Sequence, residues 1–364
     1  MKKKLLITMM VATLTATTAF AGDFSFKFGS MAQHPNYLLG VIPTYLNVGV
    51  GYDGITLIDG NTTEFQYYVG SGFTQRSLYQ DTTTGEQLAA GSDGTVANIF
   101  SADGTIKMVQ GFLEDDSLTA TLGVKEGYDR VYSDNVLAES TVYPDLAQQN
   151  NYYTLLTADL KYDKMEDNFF TQDGYSAELS FAYAPGLISN SSDFYSANLD
   201  LQYAKTLYTL EGTRDGRNLL SVVFIDRFET SYTDGDEVAT SYQSNVALGN
   251  RVRGFSTYSY NTNLNFVNNI DIRVATFEMT EYPLFVYLPR FNFFFDTGYA
   301  MGDYLNSSVA IDSSDALLMS SGVQATLSLS DVIDLGYQIA YLIKGDNISK
   351  NSNIVGSVTF FLQY

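Results

Sequence analysis

The sequence predicts an all-β protein folded as a transmembrane antiparallel β-barrel. Apolar and polar residues alternate with a period of two in segment after segment, which is the signature of strands with two unlike faces. The apolar faces are studded with Tyr and Phe near the strand ends, while the opposite faces are small and polar. Beyond the first 21 residues no run of ~20 apolar residues occurs, so a membrane could be crossed only by strands. In hydrocarbon every backbone N–H and C=O must be paired internally, and a sheet manages this only by closing on itself.

The composition agrees and excludes several alternatives. The 364 residues include no Cys, no Trp, 6 Pro and 1 His, but 29 Gly, 28 Tyr and 24 Phe. Absence of Cys removes disulfide scaffolds and thiolate chemistry, and a single His removes multi-histidine metal centres. No cofactor is expected. Acidic residues outnumber basic ones 41 to 20, which argues against a nucleic-acid partner, where a basic footprint is needed. Aromatic residues make up 14% of the chain, yet its mean hydropathy is only -0.06. Apolar rings diluted by polar residues give that balance.

At the N-terminus, Lys2, Lys3 and Lys4 precede the apolar stretch Leu5 to Ala16, and Ala19-Phe20-Ala21 offers small residues where a signal peptidase reads them. Residues 1–21 are therefore expected to be a secretory signal peptide and residues 22–364 the barrel. Cleavage would leave 17 basic residues against 41 acidic ones, a charge of -24. Four strands are clear in the first half: Thr44–Tyr52, Thr63–Phe73, Thr105–Leu113 and Ser117–Tyr132. One to three more are expected around Ile55 and Val96. Nine follow: Asn151–Asp163, Gly174–Pro185, Phe194–Thr209, Arg217–Tyr232, Asn269–Tyr282, Arg290–Met301, Leu317–Leu329, Ile333–Ile343 and Asn353–Tyr364. The alternation is plain in Tyr175, Ala177, Leu179, Phe181 and Tyr183 against Ser176, Glu178, Ser180 and Ala182. Ile333, Leu335, Tyr337, Ile339, Tyr341 and Ile343 repeat it against Asp334, Gly336 and Gln338.

Both termini on the periplasmic side require an even strand number, 14 or 16. Short turns belong on that side and long loops outside. The two longest interruptions, 133–150 and 234–268, are thus expected at the extracellular end, with acidic stretches such as Asp234-Gly235-Asp236-Glu237 between strands. The last segment places Phe360, Leu362 and Tyr364 on one face. An amphipathic strand ending on an aromatic resembles the signal read by the barrel assembly machinery during biogenesis.

The loop expected over residues 233–268 contains Leu248-Gly249-Asn250-Arg251-Val252-Arg253-Gly254-Phe255. Its Val252, Arg253, Gly254 and Phe255 resemble the signature of the outer-membrane protein 85 superfamily, the BamA-like barrels or bacterial surface antigens. The turn around Thr171-Gln172-Asp173-Gly174, the segment Ala275-Thr276-Phe277-Glu278-Met279 and the segment Phe294-Phe295-Asp296-Thr297-Gly298 resemble family segments in the same order. The resemblance implies 16 strands and a loop six folded back into the lumen. Only about 20 residues separate the expected cut from the first clear strand, so the chain resembles a barrel-only member without periplasmic receptor domains. Asp296 lies on the polar face between outward Phe295 and Thr297, so Arg253 on an infolded loop could reach it, and a guanidinium fork suits a carboxylate in a confined space. The resemblance also implies a glutamate on strand twelve. Glu278 matches by its neighbours, and Glu281, of opposite parity, is its rival.

No enzyme is expected. A Gly-x-Ser-x-Gly elbow is missing, and His34, the lone imidazole, precedes the barrel. The resemblance implies an integral barrel of the bacterial cell outer membrane, in contact with outer-membrane lipids. It further implies a role in outer-membrane protein or lipid assembly or translocation, with a separate periplasmic protein or a secreted client as partner. The alternative is a passive, cation-preferring diffusion pore, since much negative charge could line the lumen.

Overall fold

The structure is a computed structural model. It describes residues 24–29, 37–38, 42–43, 45–78, 81–86, 88, 95–113, 115–133, 139–144, 150–167, 170–186, 191–211, 218–240, 242–243, 248–255, 260–276, 279–282, 285–311, 316–329, 333–345 and 353–362. The expected signal peptide, His34, Glu278 and Tyr364 lie outside these residues.

Among them the backbone forms one large antiparallel sheet whose path passes through fourteen strands in chain order. The strands are β1 Phe24–Gly29, β2 Tyr45–Tyr52, β3 Thr63–Leu78, β4 Thr95–Phe112, β5 Leu118–Ser133, β6 Asn150–Asp163, β7 Gln172–Ala184, β8 Asp193–Glu211, β9 Asn218–Asp236, β10 Thr262–Thr276, β11 Phe285–Tyr304, β12 Leu317–Leu329, β13 Ile333–Lys344 and β14 Ile354–Leu362. Two further segments, Glu166–Asp167 and Met279–Tyr282, pair beside the path with β7 and β11. They extend the β6–β7 and β10–β11 hairpins, and only by counting them does the sheet reach sixteen segments. Of the two strand numbers the sequence left open, fourteen is the number on the described path. A small hairpin, Tyr37–Leu38 against Ile42–Pro43, stands apart from the sheet.

Four sequence expectations need correction. Ile55 is in no strand; it sits exposed in the turn between β2 and β3. Val96 does not begin a separate strand but opens the 18-residue β4. The missing strand is β1, whose Phe24, Phe26 and Phe28 alternate just after the expected cut. The motif loop is also shorter than 233–268. β9 runs to Asp236 and β10 begins at Thr262, because both keep their register in the hairpin, Tyr232 opposite Leu264. The early part of β10 is rich in Asn, a poor strand former, which conceals it in the sequence.

The two faces separate as alternation requires. Tyr337, Ile339 and Tyr341 are about half exposed, whereas Gln338, Ala340 and Leu342 on the same strand are buried. Outward rings form rows. Phe73, Phe100, Tyr128 and Tyr152 follow one another across β3 to β6, with centroids 5.0, 6.4 and 4.6 Å apart. Toward the other end lie the pairs Tyr162–Tyr175 and Tyr203–Phe224. On β6 ten residues separate Tyr152 from Tyr162. At ~3.3 Å per residue and ~40° of tilt, that is an apolar band about 25 Å high between aromatic rows.

The sheet is curled. One buried cluster joins Ile99 of β4 and Val131 of β5 to Leu318 of β12 and to Ala340 and Leu342 of β13, strands far apart in the path. The Tyr304 hydroxyl donates to the Gly85 carbonyl at 3.3 Å, across 219 residues. The longest links, between β3 and β4, β5 and β6, and β9 and β10, all emerge at one end. Both ends of the described chain lie at the other.

Candidate functional site

The link between β9 and β10 does not stay outside the sheet. A short 3-10 turn at Leu248–Asn250 is closed by Arg251 N–H donating to the Leu248 carbonyl at 3.0 Å. Leu248 N–H donates in turn to the Tyr260 carbonyl at 3.1 Å, which ties the loop's two legs together. Leu248, Val252, Phe255 and Tyr260 are then fully buried among inward residues of the wall, including Val267, Phe294, Ala300 and Leu318. Burying four such side chains gives this loop an apolar anchor of roughly 1.5–3 kcal/mol each.

Two glycines allow the close approach. Gly254 has φ +92°, and a Cβ there would stand 2.7 Å from Leu342 Cδ2 and 2.8 Å from Ala340 Cβ. On the wall, a Cβ at Gly298 would lie 2.5 Å from Val252 Cγ2. Loop and wall thus meet backbone to side chain, with no room for a methyl group on either surface.

Arg253 is the polar centre of this contact. Its Nε donates to Asp296 Oδ2 at 2.7 Å and its Nη2 to Asp296 Oδ1 at 2.6 Å. Its backbone N–H donates to the same Oδ2 at 2.9 Å. The fork's remaining edge donates to Asp271, Nη1 to Oδ1 at 2.7 Å and Nη2 to Oδ2 at 3.1 Å. The guanidinium carbon lies 4.0 Å from the centroid of the Phe294 ring. Asp296 is wholly buried and the Arg253 side chain is 20% exposed, so the pairs sit where water screens them little. Burial pulls the guanidinium's pKa down, but the hydrogen bonds to Asp296 and Asp271 outweigh it and raise the pKa above the ordinary arginine value.

The sequence placed Arg253 and Asp296 together by parity, and the structure brings them into contact. Asp271 was missed, although the same parity marks it. Ile270 and Ile272 flank it outward on β10, and its register partner is Phe294. Of the two expected strand-twelve carboxylates, the backbone of one is described. Glu281 belongs to the segment whose Tyr282 pairs with Phe285, eleven residues along β11 from Asp296, about 36 Å at the usual rise. Glu278 is outside the described residues, and its neighbour Met279 pairs with Tyr287, nine residues from Asp296.

A second set of charges lies beside the first. Arg251 reaches Glu229 at 3.6 Å, and Arg227 joins Glu229 at 2.9 Å and Asp200 through Nε at 3.1 Å. The Asn269 amide donates to the Arg251 carbonyl at 3.1 Å. All of these are ion pairs and hydrogen bonds between the loop and the wall or within the wall, and no group of three metal-ligating side chains occurs among the described residues. At the C-terminus, Phe360 and Leu362 take register places opposite Leu335 and Ile333 of β13.

An outer surface of exposed apolar residues banded by aromatic rows, around a polar and buried inner face, is that of a sheet embedded in lipid. Spanning sheets of this kind belong to bacterial outer membranes. No family description matches the chain, and no curated protein matches it. Solved structures do. The chain is similar in fold to BamA and CdiB barrels. BamA from Haemophilus ducreyi lacking POTRA domains 1-3 is 15% identical with a TM-score of 0.49, over 87% of this chain and 62% of that one. CdiB from Acinetobacter baumannii is 12% identical with a TM-score of 0.47, over 88% and 51%. CdiB from Escherichia coli is 10% identical with a TM-score of 0.47, over 87% and 52%. The chain therefore spans between about half and three fifths of these proteins.

Proposed function

We propose that this chain is an integral outer-membrane barrel of the BamA-like superfamily that assists the assembly or translocation of outer-membrane protein or lipid. A separate periplasmic protein or a secreted client would be its partner. The observation that carries this reading is the infolded loop, fixed to the wall by Arg253 on Asp296 and Asp271. A simple conduit gains nothing from a guanidinium fork buried against two carboxylates of its wall, whereas a barrel whose wall must open and reseal needs an internal brace to keep its shape. Such a protein performs no covalent step. It lowers the local barrier to strand exchange or bilayer thinning.

The packed cluster of Leu248, Val252, Phe255, Tyr260, Tyr143 and Tyr304 inside the sheet argues against a wide, permanently open pore. The test uses the full chain in liposomes, with an unfolded eight-stranded barrel as probe client and planar bilayers as control. Faster folding of the probe than in empty liposomes, with low resting conductance, is the expected result. No acceleration together with a large, steady, cation-preferring conductance would replace this reading with the pore.

A further inference from the structure

At the long-loop end, beside the tips of β8 and β9, lies a cavity of about 800 Å³. Five of its lining residues are acidic: Asp193, Asp234, Asp236, Glu237 and Asp303. None is Lys or Arg. Asp193 and Asp236 are register partners, directly opposed at the end of an antiparallel pair. Like charges in that relation destabilise a sheet unless something positive lies between them. Asp234 is satisfied, since the hydroxyls of Tyr195 and Tyr232 donate to its Oδ2 at 3.2 and 3.1 Å. The carboxylates of Asp193, Asp236, Glu237 and Asp303 have no hydrogen-bond or ion-pair partner among the described residues.

A second observation is independent of charge. Ser192 lines the same cavity and is 2% exposed, yet its hydroxyl oxygen has no partner among the described residues. A buried hydroxyl without a partner is costly and calls for one. A single metal ion does not fit, because no three acidic groups among the described residues converge on one point. The negative charge is instead spread along the wall of a cavity sized for a small organic molecule.

We propose that this cavity binds a linear aliphatic polyamine. Several ammonium groups on a flexible chain can meet carboxylates at separate points, and one can donate to the Ser192 oxygen. The methylene spacers keep the charges apart at small desolvation penalty.

The experiment titrates the full chain in detergent micelles with spermidine by calorimetry. Saturable binding of one spermidine per chain, weakened by salt, is expected. The Asp193→Asn/Asp236→Asn double variant should bind at least tenfold more weakly and Ser192→Ala severalfold more weakly. Heat-modifiable mobility should stay unchanged in both, which separates lost binding from lost fold. Unaltered affinity in the double variant overturns the proposal, as does the absence of binding to the native chain. Displacement of spermidine by magnesium at equal free concentration would mean a diffuse acidic surface, and binding of a lysine-rich peptide but not spermidine would mean a protein partner; either result rejects the polyamine site.

Discussion

Arg253 shows how much one side chain can decide in a confined site. Its four side-chain hydrogen bonds engage two carboxylates, one of them wholly buried. Arg253→Ala would leave Asp296 charged and unpaired, and breaking a buried pair costs about 3–5 kcal/mol. The loop should loosen, shown by loss of heat-modifiable mobility and by new protease cleavage within 237–261. Native behaviour in both assays would refute the brace. Arg253→Lys should rescue only partly, since a point ammonium cannot span two carboxylates as a planar fork does. Gly254→Ala would force a φ of +92° on a residue with a Cβ and press that Cβ against Ala340 and Leu342. A loss of about 1–3 kcal/mol is expected from the urea midpoint. The residues of this site were readable to different degrees. Arg253 and Asp296 followed from a motif and from strand parity. Asp271 obeys the same parity, but no motif singles it out among the chain's many carboxylates. Hydrogen-bond partners two strand positions apart are set by sheet shear, which a one-dimensional pattern does not carry.

Among the elements, the strands with strict alternation were the legible ones. β12 runs over Leu317–Leu329 as its pattern predicts, and β13 differs by one residue at its end. β4 and β10 reach beyond their sequence patterns because polar residues such as Asn98 and Asn268 interrupt the apolar face. There the partner strands hold the segment extended in spite of its propensity. The loops were illegible, since their order comes from contacts between distant turns. The turn at 81–86 is an example. Thr141 N–H donates to the Thr82 carbonyl at 3.0 Å, and the turn is itself organised by Asp81, whose carboxylate accepts from Thr83 N–H and Thr84 N–H, both at 2.8 Å. The backbone hydrogen bonds from Thr84 and then Thr83 hold Asp81 below its ordinary value of 3.8. A depressed carboxylate stabilises the fold fully above the unfolded pKa, and this contribution is lost as the pH falls through the lowered value. Limited proteolysis of the turn should therefore be flat from pH 7 to about pH 4.5 and rise only below pH 4. A rise already between pH 6 and 5 would assign the ordering of this turn to another group.

For the whole molecule, the argument turns on unpaired backbone. The final strand contributes nine register pairs to β13, three of them formed by Phe360, Phe361 and Leu362 opposite Leu335, Asp334 and Ile333. In water an open edge is solvated, but in hydrocarbon each bare N–H or C=O costs several kcal/mol. Deleting residues 360–364 removes the partners of β13 over Ile333–Leu335 and shortens the last strand below the length the band requires. Such a sheet cannot sit stably in lipid, however well Arg253 holds the loop within it. The truncated chain should be absent from the outer-membrane fraction, inaccessible to a label applied to intact cells, and recovered as periplasmic aggregate or degradation product. Arg253→Ala, by contrast, should still reach the membrane while failing the mobility assay, because its lesion lies inside a wall whose ladder is intact. If the truncation reaches the surface as well as the native chain does, the pairing of β13 with β14 is dispensable for insertion and the orientation assigned to the strand ends is wrong.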